Sequence, residues 1–185
     1  MLHPHTTLRL ASPAKGLGIF ATQPIPKGTV TWVLDPLDQV ITAEQAARVR
    51  AGLSTALLAA FDHDYYRLRD GRYILTHDNT RFMNHDCAPN CVHAAADVEI
   101  ALRDIAAGEE LTNDYAGLLD AHEAFACACG APCCRRWIGP DDVQARPEHW
   151  RDAVLSAWSR HLQVEQPLGE LLAQSSLGPR RRLRA

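Results

Sequence analysis

The sequence has no long apolar run and no surplus of positive charge. Its longest nearly apolar stretch, residues 56–61, is far shorter than the ~20 residues that a membrane-spanning helix requires. Lysine and arginine together number 19 against 22 aspartates and glutamates, and only Lys15 and Lys27 are lysine. We therefore expect no membrane partner, and the charge balance argues against nucleic acid as a partner.

The chain also lacks a recognisable secretory signal. Its first ten residues contain Pro4 and two histidines instead of a basic patch followed by an apolar stretch. We therefore expect a cytoplasmic protein, and the sequence leaves a nuclear location open. The remaining composition, with 46% hydrophobic and 22% charged residues over 185 positions, is typical of one folded domain with a small extension.

Cysteine is unevenly distributed along the chain. Four of the six cysteines fall within eight residues, and the other two are Cys87 and Cys91. The four are Cys127, Cys129, Cys133 and Cys134. Adjacent cysteines in a chain without a visible secretory signal favour metal ligation over disulfide bonding. The cluster therefore predicts a metal site, with a thiol-redox or metal-storage protein as an alternative.

Turn residues divide the chain into short elements. Apolar and β-branched residues between prolines and glycines predict strands at 6–11, 18–21, 30–34, 39–41, 72–76 and 97–102. Thr42 and Gln45 form a capping-box pattern that predicts a helix to about residue 51, and a second helix is expected at 54–61. Further helices are predicted at 118–125 and from Pro147 onward. The side of the last helix that packs on the domain would carry Trp150, Val154, Trp158 and Leu162.

A glycine pattern at residues 16–21 matches a dinucleotide-binding fingerprint but lacks its context. Gly16-Leu17-Gly18-Ile19-Phe20-Ala21 fits G-x-G-x-x-A, which requires a helix after the turn. Pro24 and Pro26 would break that helix. The two glycines therefore predict only a close approach of backbone to a ligand or to another strand.

Five segments in a fixed order carry the most specific signal. They are Lys15-Gly16-Leu17-Gly18-Ile19-Phe20-Ala21, Ile25-Pro26-Lys27-Gly28, Arg81-Phe82-Met83-Asn84-His85-Asp86-Cys87-Ala88-Pro89-Asn90-Cys91, Ala107-Gly108-Glu109-Glu110-Leu111-Thr112-Asn113-Asp114-Tyr115 and Cys127-Ala128-Cys129-Gly130-Ala131-Pro132-Cys133-Cys134-Arg135. In content and order, these segments resemble the SET-domain protein-lysine methyltransferases that carry a post-SET cysteine segment. The resemblance covers about residues 7–139.

The resemblance implies a mainly β SET-domain fold of the β-clip type. In that fold the stretches Asn84-His85 and Asp114-Tyr115 thread past one another in a pseudoknot, which is a rare exception to unthreaded topology. Short helices are inserted between the strands, and a C-terminal α-helical extension follows. We accordingly expect a SET domain at 1–125, a post-SET zinc segment at 126–139, and a helical extension with an Arg-rich tail at 140–185.

The same resemblance implies transfer of methyl groups from S-adenosylmethionine to the ε-amine of lysine in a protein substrate. The residues that match the family's cofactor-binding positions are Lys15, Gly16, Leu17, Gly18, Arg81, Phe82, Asn84, His85, Tyr115 and Trp137. Tyr115 would lie beside the transferred methyl group, and Trp137 would lie near the adenine. Tyr73 resembles a tyrosine of the substrate channel.

The cysteine spacing resembles the structural zinc site of the family. Its three post-SET ligands are matched by Cys127, Cys129 and Cys134. The fourth ligand, which follows the Asn-His pair, is matched by Cys87, and four thiolates form a closed tetrahedral zinc site. Cys91 and Cys133 are left as substitute ligands or buried thiols. The metal would fasten the C-terminal segment beside the cofactor loop.

Methyl transfer requires the lysine amine in its neutral form. With a pKa of ~10.4, neutralising a free lysine at pH 7 costs about 4.6 kcal/mol. A nearby sulfonium charge and an apolar channel both lower the pKa of the amine, whereas a carboxylate in the channel would keep the amine charged. We therefore expect a neutral hydroxyl, that of Tyr115, to orient the amine.

Asn113 is expected to line the same channel as Tyr115. If residues 111–115 are extended, side chains two positions apart point to one face. The family usually has Phe or Tyr at this position, where the residue influences how many methyl groups are added. Asparagine leaves the methylation state open, and it raises the alternative of a catalytically weak or inactive SET-like zinc-binding interaction module. The substrate protein and the oligomeric state also stay open.

Overall fold

Short β-strands make up most of the regular structure around the functional motifs. The computed structural model describes residues 1–68, 71–117, 124–139, 141–142 and 147–178. The strands are β1 (Thr6–Ser12), β2 (Gly16–Ala21), β3 (Val30–Val33), β4 (Gln39–Ile41), β5 (Tyr66–Arg67), β6 (Tyr73–Leu75), β7 (Asn84–His85), β8 (Cys91–Ala95), β9 (Val98–Ala101), β10 (Glu110–Asn113), β11 (Phe125–Ala126) and β12 (Trp137–Ile138). The helices are α1 (Ala43–Ala51), α2 (Thr55–Asp64), α3 (Pro147–Trp158) and α4 (Gly169–Leu172). The mainly β class predicted from the sequence is confirmed.

The order of the strands in the sheets differs from their order in the chain. Among the described residues the sheets are β1-β2-β10-β7, β3-β9-β8, β4-β6-β5 and β11-β12. The six strands predicted from the turn pattern are confirmed as β1, β2, β3, β4, β6 and β9. Residues 16–21 all belong to β2, which confirms that the glycine pattern does not open a helix.

β10 connects the functional motifs because it changes partner along its length. Its first two residues pair with β2 in antiparallel register. Its last two residues pair with β7 in parallel register, so that Thr112 lies opposite Asn84 and Asn113 lies opposite His85. This pairing brings the Asn-His stretch beside the chain that leads into the Asp-Tyr stretch, as the expected fold requires.

Asn90 satisfies the backbone of β10 on its other edge. The residue is 1% exposed, and its Nδ2 donates to the carbonyl oxygen of Glu110 at 2.7 Å. Its Oδ1 accepts from the backbone nitrogen of Thr112 at 2.8 Å. Because a side chain supplies the partners that a further strand would supply, this short strand is buried without unpaired groups at these positions.

The predicted caps of the first two helices are confirmed. Thr42 Oγ1 accepts from the backbone nitrogen of Gln45 at 3.1 Å, and Gln45 Oε1 accepts from that of Thr42 at 2.8 Å. Both bonds of the capping box are therefore present. Ser54 caps α2 by accepting from the backbone nitrogen of Leu57. Within the described ranges, no helix combines the length and the apolar character needed to span a membrane.

The apolar side of α3 packs on the β3-β9-β8 sheet, as the sequence predicted. Trp150, Val154 and Trp158 contact a buried cluster that contains Val92 and Ile100. Further along the extension, the Gln166 side chain forms hydrogen bonds with Val30 of β3 and with Gly28 in the turn before that strand. The extension therefore covers one face of the central β-structure.

Two helix predictions are wrong in part. Leu162 does not join the buried side of α3, because the helix ends at Trp158 and Leu162 is 86% exposed. The chain turns there as the His161 ring stacks on Trp158, with the centroids 4.2 Å apart. Of the helix predicted at 118–125, residues 118–123 lie outside the described residues, while Phe125 belongs to β11 and lies opposite Ile138. β11 spans the predicted boundary at residue 125, and the division into domains stays a prediction.

Gly28 lies where the C-terminal extension meets the sheet. Its φ is +91°, and a Cβ there would lie 2.9 Å from both the Ala157 carbonyl oxygen and Arg160 Cβ. Its carbonyl oxygen accepts from Gln166 Nε2 at 2.8 Å, and Gln166 Oε1 accepts from the backbone nitrogen of Val30 at 2.9 Å. The close approach of the extension therefore depends on glycine at this position.

We expect Gly28→Ala to destabilise the protein more than Gly108→Ala does. Both glycines have positive φ, +91° and +82°, but a Cβ at Gly108 meets nothing within 4 Å. The shared backbone strain costs about 1–3 kcal/mol, and overpacking against α3 adds about 1–3 kcal/mol for Gly28 alone. Denaturant titration of both variants gives the two free energies of unfolding. Equal losses would contradict the proposed contact.

Candidate active site

His85 and Tyr115 are in direct contact, although they lie far apart in the chain. The backbone nitrogen of Tyr115 donates to His85 Nδ1 at 3.2 Å, and the ring centroids are 5.5 Å apart. The Tyr115 hydroxyl donates to the Met83 carbonyl oxygen at 2.5 Å. The Asn-His and Asp-Tyr stretches therefore meet at one place. The extended structure predicted for 111–115 ends at Asn113, because a 3₁₀ turn occupies Tyr115–Gly117.

The glycine segment lies against the same stretch of β7. Asn84 Nδ2 donates to the Leu17 carbonyl oxygen at 2.9 Å and to Glu110 Oε1 at 2.7 Å. Lys15 Nζ lies 3.3 Å from Glu110 Oε2. A Cβ at Gly18 would lie 2.5 Å from Glu110 Oε1, so a larger residue here would displace the Glu110 side chain. The segment therefore combines one cation, one anion and one amide at a partly exposed edge.

A cavity of about 430 Å³ opens beside Tyr115. Asn113 and Tyr115 both line it, so the structure brings together the two residues that the sequence placed in one channel. Its wall also contains Tyr66, His93 and Glu99. The cavity is therefore lined by several polar groups in addition to aromatic rings.

Tyr73 does not line this cavity, which differs from its predicted role as a channel residue. In the β5-β6 ladder Tyr73 lies opposite Arg67, and the next residue, Ile74, lies opposite Tyr66. Residues paired across a ladder share a face, so Tyr66 and Tyr73 lie on opposite faces of the sheet. Tyr66 lines the cavity, whereas the Tyr73 ring packs against Phe61 at 5.8 Å.

Glu99 is a cavity residue that the sequence reasoning missed. It lies in β9 and is 1% exposed. Thr31 Oγ1 donates to its Oε1 at 2.8 Å, and Asn113 Nδ2 donates to its Oε2. Burial raises the pKa of Glu99 to about 7, against these two hydrogen bonds. The expectation of a channel without a carboxylate is therefore wrong for this cavity.

The alternation of apolar and polar residues in β9 gave no indication that Glu99 is buried. Apolar residues at Val98 and Ile100 predict that the intervening side chain faces solvent. All four residues of β9 are buried, however, because β9 is the central strand of its sheet and is covered on both faces. The one indication in the sequence was a glutamate placed between two apolar residues of a predicted strand.

Burial determines the protonation states of His85 and Tyr115. Burial, with the nearby carboxylates of Glu99 and Glu110, raises the pKa of Tyr115 to about 12. Burial lowers the pKa of His85, although Asp114, 3.7 Å away, acts in the opposite direction. At neutral pH Tyr115 is therefore a neutral hydroxyl, and His85 is a neutral imidazole whose Nδ1 accepts a hydrogen bond.

The other residues predicted to bind the cofactor differ in their environments. Gly16 has a φ of +76°, which favours glycine. Arg81 lines the cavity while its Nη1 donates to the Thr76 carbonyl oxygen at 3.2 Å. Phe82 packs against the core cluster of the β2 sheet. Trp137 lies in β12 and is 61% exposed, which leaves a free aromatic surface.

Four cysteines form the group that the spacing indicated. The Sγ atoms of Cys87, Cys127, Cys129 and Cys134 lie within 4.8 Å of one another. The Cys127 sulfur lies 3.9 Å from that of Cys87 and 3.8 Å from that of Cys134. Tetrahedral ligation with zinc–sulfur bonds of ~2.3 Å requires sulfur separations of about 3.8 Å, so the residues fit the ion.

The two remaining cysteines lie outside that group. Cys91 is fully buried in the core cluster of the β2 sheet, together with Ile19. Cys133 is exposed, and its sulfur lies 3.6 Å from the Cys87 carbonyl oxygen. The geometry therefore favours Cys87 over Cys91 as the fourth ligand.

The cysteine group is joined to the cavity by two contacts. Cys87 Sγ lies 3.4 Å from His85 Nε2, on the opposite side of the imidazole from Tyr115. Arg135 donates to Asp114 Oδ2 and Oδ1 at 2.6 and 2.7 Å, and the Asp114 side chain is 2% exposed. The segment after the cysteines is thus held against the chain that carries Tyr115.

We expect Asp114→Ala to lower the free energy of unfolding by about 2–3 kcal/mol, below the range of fully buried pairs because the Arg135 side chain is 20% exposed. Asp152→Ala, which removes a pair with Arg151 at an exposed site, is the control and should cost less than about 1 kcal/mol. Denaturant titration measures both. A loss no larger than that of the control would contradict the structural role of the Asp114 pair.

Comparison with known proteins agrees with this geometry. The SET domain family matches residues 16–116, more than half of the chain. The Drosophila melanogaster histone-lysine N-methyltransferase trr is 31% identical over 138 residues, which are 69% of this chain and 6% of that protein. The Schizosaccharomyces pombe H3 lysine-4-specific histone-lysine N-methyltransferase is 34% identical over 136 residues, 66% of this chain and 14% of that protein. The chain thus spans a small fraction of the length of these curated relatives.

A solved structure supports the same assignment at the level of the fold. The methyltransferase domain of the human histone-lysine N-methyltransferase SETMAR matches 74% of this chain and 58% of that one, with a TM-score of 0.53 and 22% identity. The family match, the sequence relatives and the shared architecture confirm the resemblance carried by the motifs. The chain belongs to the SET-domain family.

Proposed function

We propose that this protein is an S-adenosylmethionine-dependent protein-lysine N-methyltransferase. The observation that carries the proposal is that the Asn84-His85 stretch contacts both the glycine segment and Tyr115, and that Tyr115 lines the cavity. The names of the sequence relatives, which are histone-lysine N-methyltransferases, support the same activity. The cavity offers space for a long side chain beside Tyr115, whose hydroxyl can orient the amine.

The donor groups at the glycine segment fit the methyl donor. S-Adenosylmethionine supplies the methyl group, and its amino-acid end carries one carboxylate and one ammonium. Lys15 and Glu110 present one charge of each sign 3.3 Å apart, beside the Asn84 amide. The exposed ring of Trp137 offers an aromatic surface for a base. We propose that these residues hold the cofactor, together with the backbone of Gly16-Leu17-Gly18 and with Arg81, Phe82 and His85 around them.

Tyr115 would position the substrate amine. Its hydroxyl proton is donated to the Met83 carbonyl oxygen, so the hydroxyl oxygen can accept a hydrogen bond from an amine. Because its pKa is raised to about 12, the side chain is a neutral hydroxyl at pH 7 with almost no phenolate to take up a proton, and it acts by orientation. Asn113, in the same wall, offers a second polar contact.

The four-cysteine group is proposed as a structural zinc site. Cys87, Cys127, Cys129 and Cys134 would ligate the ion, which would cross-link β7 to the segment that carries β12. The backbone nitrogen of Arg135 lies 3.5 Å from Cys87 Sγ and would stabilise the thiolate. The metal would thereby hold one wall of the cofactor site.

The proposed substrate is a lysine side chain in a protein. The relatives' names make histones the first proteins to test, because one of those relatives is described as specific for H3 lysine 4. The Asp64 side chain lies at the cavity and would favour the approach of a cationic side chain, whereas the Asp62 carboxylate there is paired with Arg50.

We expect the protein to transfer labelled methyl groups from S-adenosylmethionine to core histones or to proteins of a lysate. Tyr115→Phe should lower the rate about 10²-fold while cofactor binding, measured by calorimetry, is retained. Tyr73→Phe should keep the wild-type rate, because Tyr73 lies outside the cavity. Mass spectrometry of the labelled protein identifies the modified residue.

Two outcomes of this assay would overturn the proposal. Labelling that is unchanged by Tyr115→Phe would place the chemistry elsewhere. Cofactor binding without any labelled protein would support the alternative of an interaction module.

We expect about one zinc ion per chain by atomic emission spectroscopy. Cys134→Ser should lose most of the zinc and lower the midpoint of thermal unfolding. Cys133→Ser, at the neighbouring exposed position, should keep both at wild-type values. Equal zinc contents in the two variants would contradict the assignment of Cys134 as a ligand.

A further inference from the structure

The cavity contains a buried carboxyl group without a cationic partner. Within the described residues, Glu99 forms no ion pair with any lysine or arginine, although its side chain is 2% exposed. Its two oxygens accept from the neutral donors Thr31 Oγ1 and Asn113 Nδ2. Burial of a carboxylate without a counter-ion costs free energy, and this site lacks the positive charge that would offset the cost.

Glu99 is the buried carboxyl group of the cavity, because Asp62 and Asp64, which also line it, are 54% and 41% exposed. The arginines of the lining have other partners: the Arg67 guanidinium lies over the Tyr73 ring, and Arg81 Nη1 donates to the carbonyl oxygens of Thr76 and Asp78. From β8, His93 Nε2 lies 3.7 Å from Glu99 Oε2, and burial lowers the pKa of His93 to about 4, so the imidazole is neutral at pH 7. Cys91 of the same strand is a buried neutral thiol whose pKa burial raises well above its usual value. From β3 and β10 the nearest groups are the uncharged Thr31 and Asn113.

A second polar group in the same wall lacks a partner. The Tyr66 hydroxyl is buried and has no hydrogen-bond partner among the described residues, and Tyr66 lines the cavity with Glu99. Burial raises the pKa of Tyr66 well above its usual value, so the hydroxyl is neutral. A ligand that carries a cationic nitrogen with N–H groups would satisfy both Glu99 and Tyr66.

We propose that the Glu99 carboxylate accepts the proton that the substrate ammonium must lose before it is methylated. This inference rests on the proposed function. One N–H bond of the ammonium breaks and leaves its electron pair on nitrogen, while an O–H bond forms on the carboxylate. Both groups become neutral, and the carboxyl group returns the proton to solvent after the product leaves.

Burial explains why this carboxylate does not simply hold the amine in its charged form. Desolvation lowers the pKa of an amine and raises the pKa of a carboxylic acid, so both shifts move the proton from nitrogen to oxygen. The pKa of Glu99, raised to about 7, already shows this direction for the acid. An exposed carboxylate would lack this effect and would stabilise the ammonium.

The test compares Glu99→Gln with the wild type on two forms of the peptide that is labelled in the methyl-transfer assay. One form carries lysine, and the other carries S-(2-aminoethyl)cysteine, whose amine is less basic. At pH 7 we expect kcat for the lysine peptide to fall about 10²–10³-fold, and to fall much less for the less basic amine. Equal losses on both peptides, or no loss, would overturn the proposal.

Controls separate the proton transfer from a loss of structure. Glu44→Gln, at an exposed helical position, should match the wild type on both peptides. Thr31→Val removes the hydroxyl that stabilises the charged form of Glu99, so the pKa of Glu99 should rise and the acidic limb of the kcat profile should move to higher pH. If Glu99→Gln fails to fold, an unchanged profile in Thr31→Val would overturn the proposal.

A spectroscopic readout does not depend on turnover. Infrared difference spectra with n-butylamine as the probe should show a band of protonated carboxyl in the wild type that Glu99→Gln lacks. Absence of that band in the wild type at saturating probe would overturn the proposal for Glu99. Cofactor binding without labelling of any protein would instead overturn the proposed function, so the two failures are distinguishable.

Discussion

The arrangement of the site depends on β10, a strand of four residues that pairs with β2 at one end and with β7 at the other. This change of partner places the glycine segment and the Asp-Tyr stretch each within hydrogen-bond distance of the Asn-His stretch. Asn90 completes the strand from its far edge by bonding the backbone of Glu110 and Thr112. A strand of four residues forms few backbone hydrogen bonds, so the loss of any one of them removes a large part of the free energy that holds the strand in place.

One imidazole connects the cysteine group to the cavity. His85 contacts Cys87 through Nε2 and Tyr115 through Nδ1, and Arg135 adds a second connection through Asp114. A metal that orders the cysteines would therefore also fix the orientation of the tyrosine. The proposed zinc site and the proposed methyl-transfer site are therefore coupled through these contacts.

The cavity is more polar than the apolar channel that the chemistry of a neutral amine favours. Glu99, Asn113 and Tyr66 place acceptors and donors where apolar walls were expected. Such groups cost stability when they are incompletely paired, so their burial is best explained by a ligand that pairs with them. Asparagine at position 113 is a hydrogen-bond partner of Glu99 in this wall.

Local chemistry in the sequence was sufficient for the strands between turns and for the capping box at Thr42, since each is determined by neighbours a few residues apart. The cysteine group was predicted from the family resemblance, because Cys87 lies far along the chain from Cys127. Tertiary structure decided that Tyr66 and not Tyr73 lines the cavity, because the pairing of β5 with β6 places them on opposite faces and the Tyr73 ring packs against Phe61. It also decided that Glu99 is buried, since only the coverage of both faces of β9 removes that side chain from water. Alternation along one strand cannot report what packs on its second face, and that second face sets the electrostatics of this site.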